Sequence, residues 1–97
     1  MANPRETARL RAMLASGARI SWDVPHARQR AKERDVSILI AERVIRGGRV
    51  TGLGVEADGS ERWAISGRDM DGRPVNVVVT PRLPDVLRVI TVIRTDE

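Results

Sequence analysis

Three side chains able to contact a phosphate group are spaced four residues apart: His26, Arg30 and Arg34. On an α-helix, steps of four place side chains on one stripe of the surface. An arginine stays protonated and presents a planar fork that matches phosphate oxygens, and a histidine can exchange protons near neutral pH. The spacing therefore predicts a phosphate-facing stripe on a helix whose neighbouring stripe, Ala27 and Ala31, packs inward.

A second interpretation of the same stripe stays open. Exposed arginines on helices commonly form weak surface ion pairs, and three acidic residues are near enough in sequence to serve as partners: Glu33, Asp35 and Glu42. His26 likewise fits two interpretations. It is either a proton-transfer group or a partly buried structural histidine that hydrogen-bonds between helix and sheet.

Further candidates lie in the second half of the chain, where short apolar runs alternate with turn residues. Arg62 and Ser66 fall on one face of a predicted strand, opposite its apolar residues. Thr91 is predicted to be a single hydroxyl on a face that it shares with the apolar residues Leu87, Val89 and Ile93. Arg82 and Arg94 carry no comparable signal, and we expect them to be surface charges.

The elements that would position these residues are three helices followed by four strands. Helix start and stop signals predict helices from Asn3 to Gly17, over 23–34 with Asp23 as its cap, and over 38–46. Strands are expected over 49–56, 61–67, 73–80 and 87–94, with the last two central because both of their faces are apolar. The order predicts an α+β fold in which N-terminal helices pack on a four-stranded antiparallel meander sheet.

Composition excludes several classes of protein. The chain has 97 residues, no cysteine and one histidine, so disulfide scaffolds and zinc fingers are excluded and we expect no metal and no cofactor. The length predicts a single domain, 1–97, with an N-terminal helix in 1–18 and a core in 20–95. No apolar run is long enough to span a membrane, and we expect a cytoplasmic protein.

Charge is distributed unequally along the chain. Residues 1–49 carry a net charge of +6 and residues 50–97 carry −2, for a total of +4. A basic half is typical of a surface that faces phosphate groups.

Four segments carry a resemblance to a bacterial domain-of-unknown-function family with a His-x3-Arg-x3-Arg-x-Ile/Val-Ser signature. The signature corresponds to His26–Ser37, and the other three segments, in matching order, are Arg62–Gly67, Asp71–Val75 and Val89–Arg94. The resemblance covers residues 20–95. That family is in turn similar to the RelE, BrnT and MqsR type toxins of toxin–antitoxin systems, which share the fold of barnase, EndoU and colicin ribonucleases.

The resemblance implies a metal-independent endoribonuclease that cleaves RNA by attack of a 2′-hydroxyl. Carried over position by position, it implies an active groove formed by His26, Arg30, Arg34, Arg62 and Thr91. We expect additional RNA contacts from Arg28, Lys32 and Ser66. The implied partners are RNA and a cognate antitoxin encoded by the neighbouring gene.

The chain departs from the better-known toxins because it has no tyrosine and no second histidine, which excludes a two-histidine acid/base pair. A non-catalytic RNA- or protein-binding module on the same fold is therefore the main alternative. An antitoxin-like or immunity protein fits the basic N-terminal half less well, because such proteins usually present acidic surfaces to cationic toxins.

Overall fold

The chain forms three helices and five strands in the computed structural model, which describes residues 3–94. The helices are α1 (Pro4–Ala15), α2 (Ala27–Glu33) and α3 (Ile38–Gly47). The strands are β1 (Arg19–Ser21), β2 (Arg49–Val55), β3 (Glu61–Arg68), β4 (Pro74–Arg82) and β5 (Val86–Arg94). The α+β class is confirmed. The predicted domain bounds include residues 1–2 and 95–97, which lie outside the described residues.

The sheet differs from the predicted four-stranded meander. Its order is β1-β5-β4-β3-β2: β2 to β5 are antiparallel neighbours in chain order, and β1 adds a fifth strand that is parallel to β5. The sheet is therefore mixed. The sequence predicts only a short extended or linking segment at 20–22, because three residues are too few to show the alternation of apolar and polar side chains that marks a strand of the sheet.

All three helices pack on one face of the sheet and bury a single core. Leu10 of α1, Ala31 of α2 and Ile45 of α3 belong to this core, together with Trp63 and Val77 from the sheet. The strand β4 lies in the middle of the sheet, as its apolar composition predicts. No helix formed by residues 3–94 is long and apolar enough to cross a membrane.

The opposite side of the sheet, which we call the open face, has no helix over it. Its residues follow from strand alternation and register. They include Arg49, Gly52 and Gly54 of β2; Arg62, Ala64, Ser66 and Arg68 of β3; Asn76, Val78, Thr80 and Arg82 of β4; and Arg88, Ile90, Thr91 and Ile93 of β5.

A β-bulge in β5 corrects the predicted position of Thr91. Val78 pairs with Thr91 and Val79 pairs with Val89, so Ile90 is an extra residue on the β5 side. Because the extra residue shifts the alternation, Thr91 lies on the open face while Leu87 and Val89 stay in the core. The prediction that Thr91 shares a face with those two residues is wrong, because it assumed that side chains alternate between the two faces along the whole strand and the bulge interrupts this alternation.

Helix α2 is shorter than predicted and begins after His26. It spans seven residues, and His26 is its N-cap with φ of 75°, in the left-handed region. His26 therefore precedes the helix rather than occupying its first turn. Asp35, after the end of the helix, also has a positive φ of 56°. Its amide and that of Val36 donate to the carbonyls of Lys32 and Ala31, which is a Schellman motif with aspartate in the position that glycine usually takes.

Candidate functional site

A groove of about 340 Å³ crosses the open face. Its base is a row of paired small and apolar residues, Gly52, Ala64, Val78 and Thr91, one from each of four neighbouring strands. Its remaining lining is Leu53, Arg62, Ile90 and Ile93. The groove therefore combines an apolar base with one cation, Arg62, and one hydroxyl, Thr91.

Arg62 lies flat across the neighbouring strand because Gly54 has no side chain. A Cβ at Gly54 would be 2.7 Å from Nη2 and 2.9 Å from Nε of Arg62. Within residues 3–94, Arg62 makes no ion pair and no side-chain hydrogen bond. Arg88 and Arg82, also on the open face, pair with Asp23 at 3.3 Å and with Asp58 at 3.7 Å. Arg62 is thus the cation of the groove that is available to an anion.

Three polar side chains extend the open face beyond the groove. The hydroxyls of Thr51 and Ser66 are 2.5 Å apart, and Ser66 Oγ is 2.8 Å from Asn76 Oδ1, to which it donates. The Ser66 hydroxyl is therefore held in place by two neighbours. Its predicted contact with RNA would be made from this hydrogen-bonded row.

The predicted stripe of α2 lies outside the lining of this groove. Helix α2 packs chiefly along β5, beyond the three residues that pair with β1, and buries Ala27 and Ala31 as their spacing predicts. Arg28 and Lys32 line a separate surface depression together with Ser37 and Ile38 at the start of α3. The stripe of His26, Arg30 and Arg34 lies on the other flank of α2, away from Arg28 and Lys32.

Partners of the stripe residues lie within α2 itself. His26 is exposed, and its Nδ1 is 3.2 Å from Gln29 Oε1, so the interpretation of a buried histidine between helix and sheet is wrong. Arg30 pairs with Glu33 at 3.4 Å, an exposed contact of the kind that contributes about 0–1 kcal/mol. No hydrogen bond in the described part of the chain joins His26 or Arg30 to Arg62 or Thr91.

A buried ion pair that the sequence analysis missed holds α2 against the sheet. Arg94 donates through Nε to the carbonyl of Arg34 at 2.6 Å, through Nη2 to the carbonyl of Asp35 at 2.9 Å, and through Nη1 to Asp69 Oδ2 at 2.9 Å. The side chains of Arg94 and Asp69 are only 5% and 9% exposed. The expectation that Arg94 is a surface charge is wrong.

Asp69 is a fixed carboxylate. The backbone amide of Arg73 donates to it, as do the Arg94 guanidinium and the amide of Asp71, and these bonds lower the pKa of Asp69 below its usual value. Arg94 could be identified from sequence only by knowing that the end of α2 lies beside the end of β5. Its partner Asp69 appears in the sequence as an ordinary turn residue.

Metal ligands are not grouped in this structure. Within residues 3–94, no three histidine, cysteine, aspartate or glutamate side chains come close enough together to hold a metal ion. Chemistry at the open face would depend on its arginines and hydroxyls, together with the stripe residues His26, Arg30 and Arg34.

Comparison with known protein families gives a match. The profile of the family described as Domain of unknown function (DUF4258) matches residues 25–94, which include α2, α3, β2 to β5 and every candidate residue named above. Comparisons with curated proteins and with solved structures give no match. Because the matched region covers most of the chain and ends with the strand that carries Thr91 and Arg94, this protein belongs to the DUF4258 family.

Proposed function

We propose that the open face binds RNA and that the protein is a metal-independent endoribonuclease of the toxin type. The observation that carries the proposal is Arg62, an exposed guanidinium without a protein partner in the described residues, in an open groove that Thr91 also lines from β5. The resemblance to RelE and BrnT type toxins supports the same assignment. Arginine is suited to this role because its fork binds two phosphate oxygens at once.

In the proposed reaction, Arg62 binds the scissile phosphate, and Thr91, on β5 of the same groove, donates a hydrogen bond that orients the RNA backbone. The substrate 2′-oxygen forms a bond to phosphorus while the bond to the 5′-oxygen breaks, which yields a 2′,3′-cyclic phosphate and a 5′-hydroxyl. Negative charge grows on the non-bridging oxygens, where a positioned cation stabilises the transition state more than the ground state. Arg62 acts as that cation.

Two protons must move in this reaction. In this proposal His26, which is exposed and lies outside the groove lining, accepts the proton of the 2′-hydroxyl, since a histidine accepts protons near neutral pH. Water donates a proton to the leaving 5′-oxygen, and the hydroxide that results is neutralised when the imidazolium releases its proton. Arg30 and Arg34 bind flanking phosphates.

The test is cleavage of a labelled RNA in excess EDTA by the wild type and by Arg62→Gln, Thr91→Val and His26→Ala. We expect cleavage to persist in EDTA and to leave cyclic phosphate ends. Arg62→Gln should slow it by about 100-fold, the effect typical of one lost transition-state contact. The matched control is Arg5→Gln, an exposed arginine of α1. Cleavage that stops in EDTA, or equal rates for Arg62→Gln and Arg5→Gln, contradicts the proposal.

A non-catalytic RNA-binding module is the second candidate, and one observation favours it. The residues that line the groove include no group that titrates near neutral pH, because His26 lies outside the lining. This candidate predicts that RNA binds, that Arg62→Gln weakens binding, and that no cyclic phosphate ends form.

We further propose that a cognate protein encoded by the neighbouring gene covers the groove. Apolar side chains beside Arg62 would be buried by such a partner, since Leu53 is 57% exposed and Ile93 is 40% exposed. Acidic groups on the partner would face Arg62 and speed association. Co-expression, pull-down and a growth assay test this. If no neighbour binds and the protein alone leaves growth unaffected, the toxin assignment fails.

A further inference from the structure

A second group of arginines lines a cleft of about 310 Å³ where α3 meets the end of the sheet. We call it the arginine cleft. Arg43 comes from α3, Arg49 begins β2 and Arg68 ends β3. The rest of the lining consists of small or uncharged residues: Val44, Gly47, Gly48, Ser66 and Gly67. No carboxylate lines this cleft in the described part of the chain.

These three cations have little to neutralise them. Among residues 3–94, Arg68 donates to the carbonyl of Gly72 at 2.7 Å, Arg43 contacts the sulfur of Met70, and Arg49 has no side-chain partner. Like charges around one cleft repel each other, and an anion in the cleft would remove that cost.

The negative end of α3 is already faced by a cation. Arg11 of α1 donates to the carbonyls of Arg46 at 2.5 Å and Gly47 at 3.2 Å, the last two residues of the helix. A guanidinium at the last carbonyls compensates the helix dipole. The net field in the cleft is therefore set by the arginines.

The arginine cleft continues from the groove of the open face. Arg49 pairs with Ser66 across β2 and β3, and Arg68 is two residues further along the same side of β3. Arg62 and Arg68 are six residues apart on one strand, a separation of about 20 Å. The hydrogen-bonded row of Thr51, Ser66 and Asn76 lies between them.

We infer that the arginine cleft is a second phosphate-binding site, which holds the RNA backbone several nucleotides from the phosphate at Arg62. This inference rests on the proposed function. The site takes a backbone phosphate of a single strand that runs along β3 on the open face. A short RNA reaches one site, and a longer RNA reaches both.

The experiment measures fluorescence anisotropy of two labelled RNAs that carry 2′-O-methyl groups and so resist cleavage, one of about 4 and one of about 12 nucleotides. Wild type is compared with Arg49→Ala, Arg49→Ala/Arg68→Ala and the control Arg5→Ala, over a range of salt concentrations. For the long RNA we expect the double variant to bind about 10-fold more weakly, and its salt slope to fall by about 0.7 for each lost phosphate contact. For the short RNA, both Arg49 variants should match the control.

Other results of this experiment would overturn the second site, the proposed function or both. If Arg62→Gln weakens both RNAs while the Arg49 variants bind the long RNA as Arg5→Ala does, the second site is wrong and the proposed function stands. If wild type binds neither RNA, both fail. If inorganic phosphate binds in the cleft and the long RNA does not displace it, the cleft is a site for small anions and the inference is overturned. Because Arg49 has no side-chain partner in the described structure, its single variant should fold normally.

Discussion

The substitution Gly54→Ala should displace the guanidinium of Arg62 without removing any charge. The new Cβ would lie 2.7 Å from Nη2, 2.9 Å from Nε and 3.1 Å from Cζ of Arg62. Non-bonded heavy atoms are at their optimum near about 3.5–4.0 Å, so the guanidinium must move by about 1 Å. A misplacement of about 1 Å at a positioned catalytic group can cost about 100-fold in rate. We therefore expect RNA cleavage to fall by about 100-fold.

Stability should move in the opposite direction in the same variant. Arg62 is exposed and can swing aside, and alanine loses less backbone entropy than glycine in a strand, which is worth about 0.5–1 kcal/mol. Denaturant unfolding should thus show an unchanged or slightly higher free energy of unfolding. The control is Val55→Ala on the same strand, because Val55 is 68% exposed and lines neither the groove nor the cleft at the end of the sheet. Equal cleavage and RNA binding by Gly54→Ala and Val55→Ala would refute the predicted displacement of Arg62.

Three further predictions concern stability. Asp35→Gly should stabilise the fold by about 1 kcal/mol, because a left-handed residue favours glycine, and Asp35→Ala should not; equal chemical denaturation midpoints for the two variants would contradict this. Thr80→Val should raise the free energy of unfolding by about 1 kcal/mol, since the Thr80 hydroxyl is buried without a hydrogen-bond partner in the described structure; a thermal melt showing destabilisation would oppose it. Because the fold lowers the pKa of Asp69, this carboxylate contributes fully to the free energy of unfolding above its usual pKa near 4, and the contribution is lost as the pH falls through the lower folded pKa. Asp69→Asn should therefore be less stable than wild type at pH 7 and lose less stability below about pH 4. Parallel plots of unfolding free energy against pH for the two proteins would refute this.

Local sequence signals predicted most of the elements of the fold. Ser37 accepts a hydrogen bond from the amide of Ile40 at 3.1 Å and begins α3, as a residue of its type before an apolar run predicts. The apolar faces of β4 place it in the middle of the sheet. These features depend on neighbouring residues, which sequence patterns record.

Features that depend on contacts between distant segments were not predictable in the same way. The pairing of β1 with β5 joins residues more than sixty positions apart, and the bonds from Arg94 to the end of α2 span a similar separation. The bulge at Ile90 changed the face of Thr91 through a single inserted residue. The role of Gly54 was equally hidden, because its importance comes from a side chain on the adjacent strand.

The residues of the candidate site were likewise predictable from local patterns, but their positions relative to each other were not. The spacing of His26, Arg30 and Arg34 identified a stripe, and burial of Ala27 and Ala31 orients it as that spacing predicts. Its position relative to Arg62 is set by how α2 packs on β5, which no local pattern encodes. The arginine cleft was missed for the same reason, since Arg43, Arg49 and Arg68 come from three different elements.

The most direct test of the central claim is nuclear magnetic resonance of the ¹⁵N-labelled protein titrated with an uncleavable 2′-O-methyl RNA. We predict that the amide signals of Arg62, Ala64 and Thr91 shift together with RNA concentration, and that those of Leu10 and Met13 in α1 stay unchanged. Signal shifts confined to α1, or no shifts at any RNA concentration, would contradict the claim that the open face of the sheet binds RNA.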